Sequence, residues 1–254
     1  MNYELNPQQL AAATAPDGPM LIVAGAGTGK TRTLTCRLAH LVERGVPPRN
    51  ILLMTFTNRA ANEMLERAAT AIHRNIGDLM GGTFHHIGNI FLRQYGDMLG
   101  IAHDFTIIDK EDSKALMRVC VRELELDKLR GFPNKGSLVS ISGFVQNTLE
   151  SLETVVCKRF PMFQEHLDNI QSTIALYNEK KQAGNLLDFD DLLSGFHALL
   201  TGFPQVRTRL ADRFEHILVD EYQDTNAIQG EIVDLLASKN RNVCVVGDDA
   251  QSIY

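Results

Sequence analysis

Short apolar runs alternate with helix-period stretches over the first 90 residues and again after residue 185. Met20–Ala24 (MLIVA), Ile51–Thr55 (ILLMT), Ile217–Val219 (ILV) and Val243–Val246 (VCVV) are brief, almost wholly apolar and rich in β-branched residues. That pattern predicts buried strands. A helix is expected from Lys30 to Arg44, ended by Gly45 with Pro47-Pro48 beyond it. A second is expected after Asn58 as N-cap, with apolar positions at Ala61, Met64, Leu65, Ala68, Ala69 and Ile72. Near-continuous apolar strands alternating with helices predict an α/β fold. Its parallel sheet should carry helices on both faces.

From about Phe91 to Gly184 the strand pattern fades. KEDSKALMRVCVRELEL, LVSISGFVQNTLESLETVV and FQEHLDNIQSTIALYNEKKQ carry apolar residues at helix period and charges on the outer face. The expected organisation is a discontinuous α/β domain, residues 1–90 and 185–254. An all-helical subdomain, residues 91–184, would be inserted into it.

Composition changes this picture little. At 44% hydrophobic residues, the 254-residue chain has ample material for a core. The net charge of -6 argues against a surface coated in nucleic acid but leaves room for a local basic groove. Cys36, Cys120, Cys157 and Cys244 are scattered through apolar-patterned segments, with no CxxC pair, and read best as free thiols in a reducing compartment. MNYELNPQQL lacks the basic and apolar regions of a signal peptide, and no apolar run approaches the ~20 residues of a membrane span. A soluble, cytoplasmic protein with no membrane partner is expected.

Two stretches carry chemistry. Ala24, Gly25, Ala26, Gly27, Thr28, Gly29, Lys30 and Thr31 read AGAGTGKT between a predicted strand and a predicted helix, the context a phosphate-binding loop requires. Small residues let backbone N–H groups approach phosphate oxygens, and the helix N-terminus adds partial positive charge. Lys30 would reach the β- and γ-phosphates, and Thr31 would place its hydroxyl on Mg²⁺. The strict pattern has glycine where this chain has Ala24. The second stretch is Asp220-Glu221, which ends the strand HILV. Asp220 would hold Mg²⁺, directly or through Thr31 and water. Glu221 would polarise the attacking water. ATP and Mg²⁺ are the expected ligands. The two halves of the site lie 190 positions apart (Lys30 to Asp220), which itself points to an insertion.

LNPQQ, AGAGTGKT, TFTNRAANEM, GTFHH, LDFDDLL, VDEYQDTN and VVGDDAQSIY occur in that order from Leu5 to Tyr254. Together they resemble the motor motifs of the UvrD/Rep/PcrA group of superfamily 1 DNA helicases. The resemblance implies a RecA-like P-loop domain from a motor that moves 3′ to 5′ on single-stranded DNA at the expense of ATP. Gln9 matches the glutamine that reads adenine, and Arg32 a residue near the nucleotide. Thr55, Phe56, Thr57 and Asn58, and Thr83, Phe84 and His85, match segments lining the DNA track; the two phenylalanines fit base contact or core packing alike. The acids of Asp188-Phe189-Asp190-Asp191 match a family motif, or equally serve a helix N-terminus. Gln223 and Asp224 would organise the Mg²⁺ site. Gln251 would face the γ-phosphate as a catalytic sensor, and Tyr254 would lie toward the DNA. The implied partners are single-stranded DNA or single/double-strand junctions, and a second motor domain in the same polypeptide that supplies arginine fingers. The alternative is a nucleotide-gated DNA-binding module without turnover.

Overall fold

The structure is a computed structural model that describes residues 5–25, 27–72 and 77–248. In chain order the elements are α1 (Pro7–Ala13), β1 (Met20–Val23), α2 (Lys30–Glu43), β2 (Ile51–Thr55), α3 (Asn58–Ile72), β3 (Met80–Thr83), α4 (Phe84–Tyr95), β4 (Thr106–Ile107), α5 (Lys110–Glu123), α6 (Lys135–Thr148), α7 (Leu152–Arg159), α8 (Leu167–Ala183), β5 (Leu186–Leu187), α9 (Phe189–Gly202), α10 (Pro204–Arg213), β6 (His216–Val219), α11 (Ala227–Leu236) and β7 (Val243–Gly247). The chain divides into two compact units. One comprises Met1–Ile87, Leu200–Thr225 and Gly230–Tyr254; the other comprises Gly88–Leu199 and Asn226–Gln229.

The first unit is built on a five-stranded sheet in the order β1-β7-β6-β2-β3. Every neighbouring pair is parallel, with Leu21 opposite Val245, Leu218 opposite Cys244, Leu53 opposite Leu218, and Leu53 opposite Gly81. Parallel pairing puts all five C-terminal strand ends along one edge, where ligands of such sheets bind. Leu34, Leu38, Leu41 and Val42 of α2 pack with Ile51, Leu53, Leu218, Cys244 and Val246 of the strands. Met64 and Ala68 of α3 join the same core, as the helical spacing from Ala61 predicted. All four predicted strands are present, within one residue at each end. The expected cover on both faces is incomplete at the edge strand. Leu21 and Val23, which alternate with the inward Met20 and Ile22, are exposed among the described residues.

Strand β3 had no apolar pattern to announce it. Its MGGT sequence is explained by close packing. A Cβ on Gly81 would lie 3.2 Å from the Leu65 side chain of α3, and one on Gly82 would lie 2.5 Å from the His86 ring. Side chains were removed where a helix and its neighbour press on the sheet.

The second unit is predominantly helical. Met117 and Cys120 of α5, Leu138 and Ile141 of α6, Val156 of α7, and Ile170 and Tyr177 of α8 form its main core. It also carries a short parallel ladder, β4 with β5, two residues from each strand. Asp188 and Asp191 open α9 with reciprocal bonds: Asp191 N–H donates to Asp188 Oδ1 at 2.9 Å, and Asp188 N–H to Asp191 Oδ2 at 2.8 Å. Both carboxylates also accept from the buried ammonium of Lys181, at 2.7 and 2.6 Å. Tyr177 donates its hydroxyl to Asp188, and Gln146 its amide to Asp191. The helix-start role of these acids is therefore directly visible.

Candidate functional site

The loop after β1 is shaped by two left-handed glycines, Gly27 (φ 73°) and Gly29 (φ 87°), where a Cβ would be strained. Its base is tied to the neighbouring strand, with Ala24 N–H donating to Gly247 O at 3.1 Å. Thr28 closes a turn inside it, donating its hydroxyl to Gly25 O at 2.7 Å. Helix α2 begins at Lys30, so its first N–H groups open onto the loop. Ala26 lies outside the described residues, and Arg32 is an exposed residue of the first turn of α2.

Beyond the loop, directly after β6, Asp220 is 2% exposed and accepts the Thr31 hydroxyl on Oδ2 at 3.0 Å. Burial pushes its carboxyl above the usual range; the Thr31 hydrogen bond pulls the other way, and the nearby Glu221 charge adds to the rise. Glu221 takes a left-handed backbone (φ 51°) that turns the chain sharply off the strand. Its Oε2 lies 3.5 Å from Lys30 Nζ and accepts a 2.8 Å hydrogen bond from Gln223 Nε2. The other side of the Gln223 amide accepts from Asp248 N–H at 3.0 Å. One carboxamide thus joins Glu221 to the tip of β7. Gly247 leaves room for it, since a Cβ there would stand 3.1 Å from Gln223 Oε1.

Lys30 is 8% exposed. Its Nζ lies 3.5 Å from Asp248 Oδ2 as well as from Glu221, and makes no hydrogen bond among the described residues. A buried ammonium with three unused donors, at the mouth of a loop whose backbone turns inward, fits a polyanion such as a nucleotide phosphate chain. Among the described residues no group of three or more His, Cys, Asp or Glu gathers to hold a metal. A Mg²⁺ ion on Thr31 and Asp220 would therefore take its other ligands from phosphate and water, as Mg²⁺ commonly does. Asp248 was not singled out from sequence. Its signal was the first acid after the apolar run of β7.

Gln9 stands on the other flank of the loop. It completes a capping box with Asn6 at the start of α1, and donates Nε2–H to Thr28 O at 2.8 Å.

The candidate strand-track residues lie at the same sheet edge, after β2 and β3. Thr57, not Asn58, caps α3: its Oγ accepts Ala60 N–H at 3.1 Å, and Asn58 is the first helical residue. Thr83 does the same for α4, accepting from His86 N–H at 3.1 Å. Thr57 and Asn58 are exposed, while Thr83, His85 and Phe56 are half-buried. Thr55 is buried, and donates its hydroxyl to Thr57 O. Phe84 is 2% exposed and meets Phe56 edge-on, with ring centroids 6.1 Å apart. It supports the Phe56 ring and presents no face of its own. Gln251 and Tyr254 lie outside the described residues.

A glycine-turned loop between strand and helix, answered by a buried acid, Asp220, two strands away, is the build of a P-loop domain of the RecA-like α/β class. The particular branch is also defined: the chain belongs to the family described as UvrD/REP helicase N-terminal domain, whose model matches residues 5–254. It is 38% identical over 251 residues to a protein named ATP-dependent DNA helicase PcrA from Staphylococcus aureus, covering 98% of this chain and 34% of that one. Proteins of the same name from Leuconostoc citreum and Staphylococcus epidermidis are 38% and 37% identical, over 98% of this chain. The chain thus spans about a third of the length of these relatives.

Proposed function

We propose that this chain is the nucleotide-binding motor domain of an ATP-dependent DNA helicase or translocase, acting in the cytoplasm on single-stranded DNA or its junctions with duplex. The observation that carries the proposal is the buried Lys30 ammonium, without a hydrogen-bond partner among the described residues, beside Glu221, Asp248 and the Thr31–Asp220 pair. The names of the relatives supply the DNA and the ATP dependence. In this assignment the backbone of residues 24–29 and Lys30 hold the phosphates. Thr31 and Asp220 hold Mg²⁺, which when bound neutralises charge on the β- and γ-oxygens. Gln9 reads the adenine, and Arg32 stacks on the base or binds phosphate. Glu221, oriented by Gln223, takes the proton of the attacking water. Gln251 senses the γ-phosphate, and Tyr254 carries the signal toward DNA. Thr57, Asn58, Thr83 and His85, at two helix N-termini on adjacent strands, suit backbone phosphates, and Phe56 suits a base. Residues 1–90 and 185–254 are assigned to the motor, residues 91–184 to its accessory subdomain. A second motor domain in the same polypeptide would complete the ATP cleft and move the protein 3′ to 5′.

The test is Lys30→Ala, titrated calorimetrically with Mg²⁺-ATP. Binding should be lost, because the substitution removes the buried ammonium that the loop presents to a phosphate. Unchanged affinity would remove the phosphate assignment. Wild-type protein that binds ATP and DNA but never turns ATP over, even as the full-length polypeptide, would instead support a nucleotide-gated binding module.

A further inference from the structure

We infer that Gln9 is a positioning residue for the phosphate loop itself, acting on every nucleotide whatever its base. The inference rests on the nucleotide reading of the loop and extends it. Gln9 Nε2 donates to the carbonyl oxygen of Thr28 at 2.8 Å, across nineteen positions of sequence. A trans peptide is planar, with its C=O and N–H on opposite sides. Holding the Thr28 carbonyl toward Gln9 therefore turns the Gly29 N–H the other way, away from α1. Gly29 has φ 87°, a conformation in which successive N–H groups form a concave anion site. The contact is tight: a Cβ at Gly29 would stand 2.9 Å from Gln9 Nε2.

The Gln9 amide is itself fixed. Its Oε1 accepts Asn6 N–H at 2.9 Å, and the backbone N–H of Gln9 donates to Asn6 Oδ1 at 2.8 Å. Helix α1 is anchored in turn by Arg37, a buried residue of α2 that donates to Ala12 O at 3.3 Å and Ala15 O at 3.0 Å. The latch thus runs from the body of α2, through α1 and Gln9, to the loop that precedes α2. One Nε2 hydrogen and one Oε1 lone pair remain unused by these bonds, so a base can be read without releasing the loop.

The experiment separates the two roles of the amide. Inorganic tripolyphosphate, ATP and GTP, each with Mg²⁺, are titrated calorimetrically into full-length wild type and Gln9→Leu, with Gln9→Met as a second variant of similar bulk. Loss of one positioning hydrogen bond should weaken all three ligands by a common factor of about five- to tenfold. Amide hydrogen exchange should rise in residues 24–31 and stay unchanged in the β1–β7 ladder, which distinguishes a loosened loop from an unfolded domain. A fall for ATP alone, with tripolyphosphate affinity and loop exchange unchanged, would make Gln9 a base reader only and overturn the inference. Wild type that binds none of the three ligands overturns the nucleotide reading, and the inference with it.

Discussion

Asp220 is a carboxylate held out of water before any cation arrives. Its short-range stabilising contacts are the Thr31 hydroxyl at 3.0 Å and the Glu221 backbone N–H at 3.1 Å, and burial still drives its proton affinity up. Such a group is poised for a divalent ion and costs stability without one. Asp220→Asn keeps an acceptor for the Glu221 N–H, lets its amide donate to the Thr31 hydroxyl oxygen instead, and removes the buried charge. The nucleotide-free variant should melt higher than wild type in a thermal scan, by about 1 kcal/mol or more of stability. The gain expected of wild type on adding Mg²⁺ with nucleotide should vanish in the variant. Equal melting temperatures without ligand would mean the charge is already compensated. Glu221 makes the contrasting case: half-exposed, reached by Gln223 and within ion-pair range of Lys30. In the full-length protein, Glu221→Gln should leave ATP affinity nearly intact and cut turnover by ~10²-fold or more, the loss expected when a general base is removed. A parallel loss of binding and turnover would place Glu221 among the ligand-holding groups instead.

At the scale of elements, the strands that show in sequence are those carrying an apolar run that no glycine interrupts. β1, β2, β6 and β7 announce themselves by unbroken apolar runs, whereas β3 is half glycine because α3 and His86 press against it. The two-residue strands β4 and β5 are too short for any period to register. The phosphate loop and the Asp220–Glu221 pair were legible because their spacing is local. Asp248 and the bridging geometry of Gln223 were not, since they depend on β7 pairing between β1 and β6. The Asp188–Asp191 acids show the same limit: sequence could place them at a helix start, but not reveal that Lys181 sits buried between them. Removing that cation leaves two buried carboxylates close together. Lys181→Met should destabilise the helical unit by about 3–5 kcal/mol, measured by denaturant unfolding. The triple replacement of Lys181, Asp188 and Asp191 by apolar residues of similar size should recover much of the loss. A single variant within ~0.5 kcal/mol of wild type would show that water already reaches the cluster.

For the whole molecule, what matters is which parts of a hydrolytic site one sheet edge can supply. Parallel pairing collects the loop, Asp220, Glu221, Asp248 and the two capped helix starts along the C-terminal ends of five strands. On the proposed reading these groups would bind a nucleotide and orient water. They include no arginine closing over the γ-phosphate from the far side, and a stabilising arginine there is worth ~10³–10⁵ in rate. Directional movement further needs two bodies that open and close across the nucleotide. The relatives are about three times longer than this chain, which leaves room for both. Residues 1–254 expressed alone should therefore bind Mg²⁺-ATP and single-stranded DNA weakly, show no DNA-stimulated ATPase, and separate no duplex. The measurement is steady-state turnover of the fragment beside the full-length protein, with and without single-stranded DNA. Comparable stimulated turnover would mean that the edge of this one sheet holds everything hydrolysis requires, and that the second wall serves movement alone.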